Sequence, residues 1–341
     1  MTSAFDNAVI MSTPAEHLPQ GRAFWLIEPG RGELRNTPVR TPDAGEVCVQ
    51  ARYSGISRGT ESLVFQGLVP PSEQTRMRAP FQEGEFSGPL KYGYASVGRV
   101  IAGQTELLGR DVFCLYPHQS HYTVPADAVE VVPSSVPAAR AVLAANMETA
   151  LNGLWDSQAS AGDRITVVGG GVVGLLIAWL AGQLPGSETT VVDVNPARRD
   201  PATALGVGFS LPEEAAAEQD VVFHTSASAD GLNTALGLAA TEARVIEMSW
   251  YGTRRPSIDL GRAFHARRLQ LISSQVGQLP ADRRARWSYR RRLRQALALL
   301  EAPALDALIS GESALDELPD LMPRLCASSS DSLCHRISYP A

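Results

Sequence analysis

The chain of 341 residues is 44% hydrophobic and 19% charged, with a formal net charge of −6. This is a globular composition, long enough for two domains, with no basic surplus for a nucleic-acid partner. No apolar run reaches the roughly 20 residues of a membrane span, and no basic stretch followed by an apolar core opens the chain.

Cys48, Cys114, Cys326 and Cys334 are scattered, which fits free thiols in a reducing compartment. A cytoplasmic protein with no membrane partner is expected. Lys91 is the only lysine, so no second lysine is available as a base or Schiff-base former.

The first 18 or so residues read as a loose lead-in. Short strands are predicted at Arg22–Glu28, Glu46–Tyr53, Gly98–Ala102, Gly109–Tyr116 and His121–Val124, separated by proline and glycine turns. Pro70 to Lys91 reads as a long surface loop whose Arg76, Arg78 and Lys91 point weakly to an anionic substrate. No helix is expected before Ala138, so this part is mostly β and barrel-like.

The pattern changes near Pro137, and Ala138–Trp155 reads as helix. Strands at Arg164–Val168, Thr189–Val194, Asp220–His224 and Arg244–Met248 then alternate with helices at Val172–Gln183, Pro196–Leu205 and Leu232–Leu238. That rhythm is the one a parallel sheet with crossovers needs, which makes the fold class α/β. Arg283–Leu300 reads as a basic helix, and Cys334–Tyr339 as a strand returning to the first domain.

The strongest motif is VVGGGVVG, Val167 to Gly174, directly after a strand and opening a helix. Gly169 allows the tight turn, Gly171 the approach of a diphosphate, and Gly174 close helix–strand packing. The free N–H groups at the helix start, Val172 and Val173, are placed to hold the diphosphate. The next strand ends in Asp193, whose carboxylate suits the two adenosine-ribose hydroxyls and repels a 2′-phosphate. NAD is therefore expected over NADP, although Arg198 and Arg199 nearby leave room for the phosphate. His224 and Thr225 end one strand; Ser249, Trp250 and Tyr251 follow the next. Ligands bind at such carboxyl ends.

These residues, with Thr41–Ile56, Gly93–Val100, Gly109–Val124, Asp193–Arg199, Asp220–Ser226 and Arg244–Gly252, resemble the medium-chain dehydrogenase/reductase superfamily, which includes the zinc alcohol dehydrogenases. Tyr53–Glu61 is locally similar to bacteriochlorophyllide hydroxyethyl dehydrogenases. The resemblance implies a GroES-like β-rich catalytic domain from residues 1–147 and 295–341. It implies a Rossmann doubly wound coenzyme domain from 148–294, with nicotinamide and substrate in the cleft between the two. It also implies a homodimer, and places His224, Thr225 and Ser249 along the nicotinamide.

The departures bear on mechanism. Where zinc-dependent relatives carry a ligating histidine and then a glutamate, this chain has Tyr94 and Ala95; Ser57 stands at the catalytic cysteine, and Ala145 near the third ligand. Serine and tyrosine are poor zinc ligands, so no zinc is expected. A displaced site from Cys114, His118, His121, Glu61 and Glu148 is the remaining alternative.

Hydride transfer to a carbonyl still needs a proton donor at the oxygen. Tyr94 is the first candidate, because it stands where relatives face that oxygen with metal. His118 and His121 follow, since imidazole titrates near neutral pH. Ser57 is a hydrogen-bond donor to the oxygen or to the nicotinamide ribose, Arg58 a partner for Glu61 or an anion, and Glu148 a relay or orienting group. The expectation is a zinc-independent oxidoreductase acting on a small alcohol or carbonyl compound with NAD(H). An enone or quinone reductase and a non-catalytic dinucleotide-binding protein are the alternatives.

Overall fold

In the computed structural model, residues 20–340 are described; the expected lead-in lies outside them. The first part contributes β1 (Gly21–Glu28), β2 (Arg31–Thr37), β3 (Glu46–Ile56), helix α1 (Arg58–Phe65), β4 (Glu83–Gly84), β5 (Leu90–Lys91), β6 (Ser96–Gly103), β7 (Asp111–Cys114), β8 (His121–Pro125) and β9 (Val129–Val131). Helices α2 (Ala138–Ala141) and α3 (Ala144–Ser157) lead into β10 (Arg164–Val168), α4 (Val172–Ala181), β11 (Glu188–Val192), α5 (Arg199–Ala204), β12 (Gly208–Ser210), β13 (Gln219–His224), α6 (Ala229–Leu238), β14 (Ala239–Glu247) and β15 (Gln270–Ser273). The chain closes with α7 (Tyr289–Leu299), β16 (Ile309–Ala314), α8 (Leu318–Leu325) and β17 (Cys334–Ser338).

The strands from β10 to β15 form one parallel sheet in the order β12-β11-β10-β13-β14-β15. Covered by helices, its central strands are buried along their length: Ile165–Val168 and Val221–Phe223 are buried throughout, and the polar Thr166 among them donates to Gln219 at 2.9 Å. The strand order reverses beside β10, which opens a crevice between the carboxyl ends of β10 and β13. The remaining strands make a β-rich unit of two sheets, β2-β1-β5-β4 and β16-β17-β3-β6-β7-β9, with β8 also paired to β3. The last strand, β17, lies antiparallel to β3, so Ile337 sits opposite Ser54. A β-rich GroES-like unit and a Rossmann unit are thus both present.

Several elements differ from the sequence reading. Helix α1 forms in a segment expected to be free of helix. Its first turn is held by Glu61, whose Oε1 accepts from the Ser57 N–H at 2.7 Å, while Leu63, Val64 and Phe65 supply its buried face. Ala138–Trp155 breaks at Val142–Leu143 into two helices, and the basic helix starts at Tyr289. Lys91 is fully buried against Glu83 and Gln119, and Arg76 and Arg78 pair with Glu73 and Glu85. The loop's cations are therefore matched within the chain, which removes the weak pointer to an anionic substrate.

Candidate active site

The glycine motif folds as its spacing requires. Gly169 has φ +114°, and a Cβ there would sit 2.7 Å from the Ser226 nitrogen. A Cβ on Gly174 would meet the Gly169 carbonyl at 2.0 Å, so only glycine lets α4 pack this close to β10. Gly171, by contrast, is exposed, and a Cβ on it would meet nothing within 4 Å. It is the N-cap of α4 and has no side chain to satisfy the first N–H groups, including those of Val172 and Val173. Open space over unsatisfied donors at a helix N-terminus fits a diphosphate.

Asp193 lies beside this turn. Its Oδ2 accepts from the Gly170 N–H at 2.6 Å and its Oδ1 from the Asn195 N–H at 2.8 Å. Each oxygen keeps acceptor capacity for a ligand hydroxyl. The Arg198 stem packs at Gly170, where a Cβ would come within 3.0 Å of it. Val194, next to the carboxylate, is 82% exposed. Arg58 from α1 reaches the same region: burial pulls its pKa down, and Arg198 adds to the effect. Its guanidinium donates to the carbonyls of Ser330 and Ser332.

Tyr94 occupies the junction of the two units. It is half-buried and packs against both the β-rich core and the core formed by α3 and the parallel sheet. Trp250, from the loop after β14, packs against the β-rich core from the other side. The Tyr94 ring meets Tyr92 edge-on, with centroids 6.0 Å apart. Burial pushes the Tyr94 phenol up to about 12 and nearby Glu61 adds to this, while the hydroxyls of Ser57 and Thr60 pull the other way.

His118 lies beneath this junction, with only 1% of its surface exposed. Its Nε2 meets Glu61 Oε2 at 2.9 Å and its Nδ1 meets Ser54 Oγ at 2.7 Å. Ser54 also meets the Tyr339 hydroxyl at 2.8 Å. The result is a buried polar chain from the Ser57 N–H through Glu61, His118 and Ser54 to Tyr339. Both imidazole nitrogens are engaged within the protein, so His118 supports the site from below. His121 is separate: it starts β8 and is half-buried, its imidazole bonds only the neighbouring Ser120 hydroxyl among the described residues, and burial pushes its pKa down.

Glu148 is also committed elsewhere. It is buried and accepts from Arg292 Nε at 3.0 Å. Burial raises its pKa and the guanidinium opposes that rise. Arg292 also holds Asn152 and the Val276 carbonyl, which ties α3 to α7. The pair is an internal clamp, and the structure does not bring Glu148 to Tyr94.

At the ends of β13 and β14 a further cluster gathers. His224 is fully buried, with Nδ1 at 2.8 Å from Glu247 Oε2 and Nε2 at 2.7 Å from Ser226 Oγ. Glu247 also accepts from the Tyr251 hydroxyl at 3.1 Å and the Ser249 N–H at 2.7 Å. Thr225 Oγ1 donates to the Gly169 carbonyl at 2.7 Å, which joins this strand end to the glycine turn. Glu247 and Ser226 were not singled out in the sequence. The available signal was that Glu247 falls in the strand predicted beside the one ending at His224.

Among the described residues, no group of three or more His, Cys, Asp or Glu side chains gathers to hold a metal ion. Cys114 is buried in β7 with its thiol pushed up by burial. No helix among the described residues is long and apolar enough to cross a membrane.

No protein-family model matches the chain. It is 26% identical over 271 residues to a 2-dehydro-3-deoxy-L-galactonate 5-dehydrogenase of Pseudoalteromonas atlantica, covering 69% of this chain and 77% of that protein. It is 25% identical over 287 residues to a D-guloside 3-dehydrogenase of Escherichia coli, covering 73% and 79%. An Escherichia coli alcohol dehydrogenase solved in complex with NADH superposes with a TM-score of 0.74 at 16% identity, covering 94% of this chain and 99% of that one. The chain therefore shares its fold with solved dehydrogenases such as this one.

Proposed function

We propose that this protein is a zinc-independent oxidoreductase that moves hydride between NAD(H) and the carbon of an alcohol or carbonyl group, with Tyr94 donating a hydrogen bond to the reacting oxygen. The observation that carries this reading is the position of Tyr94 between the β-rich core and the core of the parallel sheet, with Ser57, Thr60 and Glu61 around it.

A phenol held near 12 stays protonated through the physiological range. It is a donor and a poor base, so the arrangement serves carbonyl reduction better than alcohol oxidation. As negative charge develops on the oxygen, Tyr94 stabilises it and can yield its proton; the Ser57 and Thr60 hydroxyls are at hand to pass one back. Glu61 holds the start of α1 and, through its charge, keeps Tyr94 protonated. The nicotinamide supplies or accepts the hydride when bound. Val172 and Val173 N–H groups with Gly171 would hold its diphosphate, and Asp193 its adenosine ribose. The carboxylate favours NAD over NADP, with Arg198 as the competing influence.

The two curated relatives are named for dehydrogenation of sugar-derived compounds, so the substrate class we infer is a ketone or secondary alcohol of a polyhydroxylated molecule. No tetrapyrrole substrate is drawn from Tyr53–Glu61. The division into residues 1–147 with 295–341 and 148–294 is retained as a proposal, with its second boundary better set after α7, which spans Tyr289–Leu299. A cytoplasmic homodimer completes the reading; among the described residues β15 lies at the edge of the parallel sheet with one side unpaired.

Calorimetric titration with NADH and NADPH, followed by a screen of sugar and sugar-acid ketones for NADH oxidation, tests the proposal. Binding of NADH and turnover by metal-free protein are expected. Retention of stoichiometric zinc after dialysis, or binding of neither cofactor, would overturn it.

A further inference from the structure

The hydride-transfer site makes no use of the basic segment that runs into α7. The twelve residues from Arg283 to Arg294 hold seven arginines and no carboxylate, in a chain whose net charge is −6. Four of the seven are matched by carboxylates elsewhere. Arg290 and Arg294 both reach Glu130, Arg292 pairs with Glu148, and Arg283 lies 3.6 Å from Asp282. Arg284, Arg286 and Arg291 are exposed, and among the described residues none of them is in a salt bridge.

These three side chains are nonetheless held in place. Arg284 Nε donates to the Leu279 carbonyl at 2.8 Å, an Arg286 nitrogen to the Asp282 carbonyl at 3.3 Å, and an Arg291 nitrogen to the Arg286 carbonyl at 2.6 Å. The Arg291 guanidinium also lies over the Trp287 ring, 4.0 Å from its centroid. Trp287 packs on Trp155 of α3, with ring centroids 4.6 Å apart, and Arg283 lies over the Trp155 ring at 5.4 Å. A carbonyl or a ring orders a guanidinium without cancelling its charge. Side chains ordered in advance lose less entropy on binding, and each guanidinium keeps further N–H groups to donate. The segment therefore presents fixed positive charge with free, fork-shaped donors, which match carboxylates.

The surroundings narrow the partner. All 36 acidic residues of the chain lie outside these twelve positions, so an extended polyanion would be repelled where it ran beyond the patch. A short ligand that covers the patch alone avoids that repulsion. Trp287 is half-buried and already taken up by Arg291 and Trp155, whereas a nucleic-acid base needs a free ring to stack on. Tyr289 is the one large apolar side chain exposed here among the described residues, too little to anchor the face in lipid.

We propose that the face formed by Arg284, Arg286 and Arg291 is a docking surface for a short acidic segment of a partner protein, whose carboxylates meet the three guanidinia. The proposal goes beyond the hydride-transfer reading and does not depend on it. Charge complementarity supplies the attraction, and the carbonyl and ring contacts set the spacing of the charges.

The test is fluorescence anisotropy with the full chain and a labelled twelve-residue peptide of alternating glutamate and serine, read at about 50 and about 200 mM salt. A lysine–serine peptide, a twelve-residue oligouridylate and co-sedimenting vesicles of phosphatidylserine in phosphatidylcholine are the other probes. The wild type should bind the acidic peptide, more weakly at the higher salt, and leave the lysine peptide unbound. Arg286→Glu with Arg291→Glu should weaken the acidic peptide by about 10-fold or more. Its thermal melt should match the wild type, since both side chains are exposed. Arg286→Lys with Arg291→Lys keeps the charge but loses the fork and the stack, so its affinity should fall between the two. No binding of the acidic peptide at the lower salt, or equal binding by the glutamate variant, overturns the proposal. Tighter binding of the oligouridylate or the vesicles than of the peptide overturns the acidic protein partner and assigns the face to a nucleic acid or a membrane.

Discussion

Glu61 and His118 meet at 2.9 Å with almost none of either side chain exposed. Glu61 also fastens the start of α1 by accepting from the Ser57 N–H. Removing this carboxylate strands a buried imidazole nitrogen and a helix-end donor together. Glu61→Ala should lower stability by about 2–4 kcal/mol. Glu61→Gln, which keeps one acceptor, should lose less. Chemical denaturation of the two variants beside the wild type checks the order, and equal midpoints for all three would show that the network adds nothing to the fold.

Glu148 and Arg292 make a second buried pair, this one structural. Glu148→Ala leaves a guanidinium buried without its partner and should cost about 3–5 kcal/mol. Replacing both residues together, Glu148→Leu with Arg292→Met, should restore much of that loss, because neither charge is then stranded. NADH affinity should stay near wild type in the double variant. A large loss of affinity in a well-folded double variant would return Glu148 to the cofactor site.

The parallel sheet was legible because its strands are buried runs and its motif residues act through neighbours close in sequence. Gly169 makes the tight turn and Gly174 the close helix–strand packing that their spacing requires. Helix α1 was hidden, because Gly59 and Thr60 in its first turn read as loop, and its stability comes from Glu61 and a buried face that only tertiary contact reveals. The role of His118 was equally hidden. Its partners Glu61 and Ser54 lie 57 and 64 positions away, brought together by the packing of α1 and β3. Glu148 looked free because Arg292, 144 positions later, sits on a helix whose basic surface disguised a buried arginine. Polar residues take their meaning from long-range partners, and periodicity carries no record of those.

Gly169 and Gly171 separate folding from binding. Gly169→Ala forces a side chain into a left-handed backbone and against the Ser226 backbone, so it should destabilise the protein. Gly171→Ala meets no protein atom and should fold normally, yet it fills the space proposed for the diphosphate. Its NADH affinity should fall by about 10-fold or more. Thermal melts and NADH titrations of both variants give the comparison. Unchanged affinity in Gly171→Ala would place the dinucleotide elsewhere.

Six tyrosines, Tyr92, Tyr94, Tyr116, Tyr122, Tyr251 and Tyr339, are pushed above the ordinary phenol value, with burial the largest cause in each. The sign follows directly. The folded protein keeps protons that the unfolded chain releases near pH 10, so this contribution is complete below pH 10 and is lost as pH rises toward the folded values. Denaturation midpoints should fall steadily between pH 9.5 and about 11.5. Absorbance at about 295 nm should show most tyrosines ionising only as the protein unfolds. Six early, reversible ionisations in the native state would contradict the burial of these rings.

Tyr94→Phe isolates the chemistry. The substitution keeps the ring and nearly all of its volume, so contacts with Tyr92 and the two cores survive and stability should change little. The lost hydroxyl is the proposed donor to the reacting oxygen. With a sugar-derived ketone that the wild type reduces, kcat should fall by about 10- to 10,000-fold. NADH affinity should hold, because Gly171, Val172, Val173 and Asp193 are untouched. In the wild type, Tyr94 itself introduces no break in the rate between pH 6 and pH 9, since its phenol titrates near 12. A break there would belong to another group. Retained turnover in Tyr94→Phe would make the ring a filler between the two cores. His121, half-buried and free of the Glu61 network, would then be the next side chain to replace.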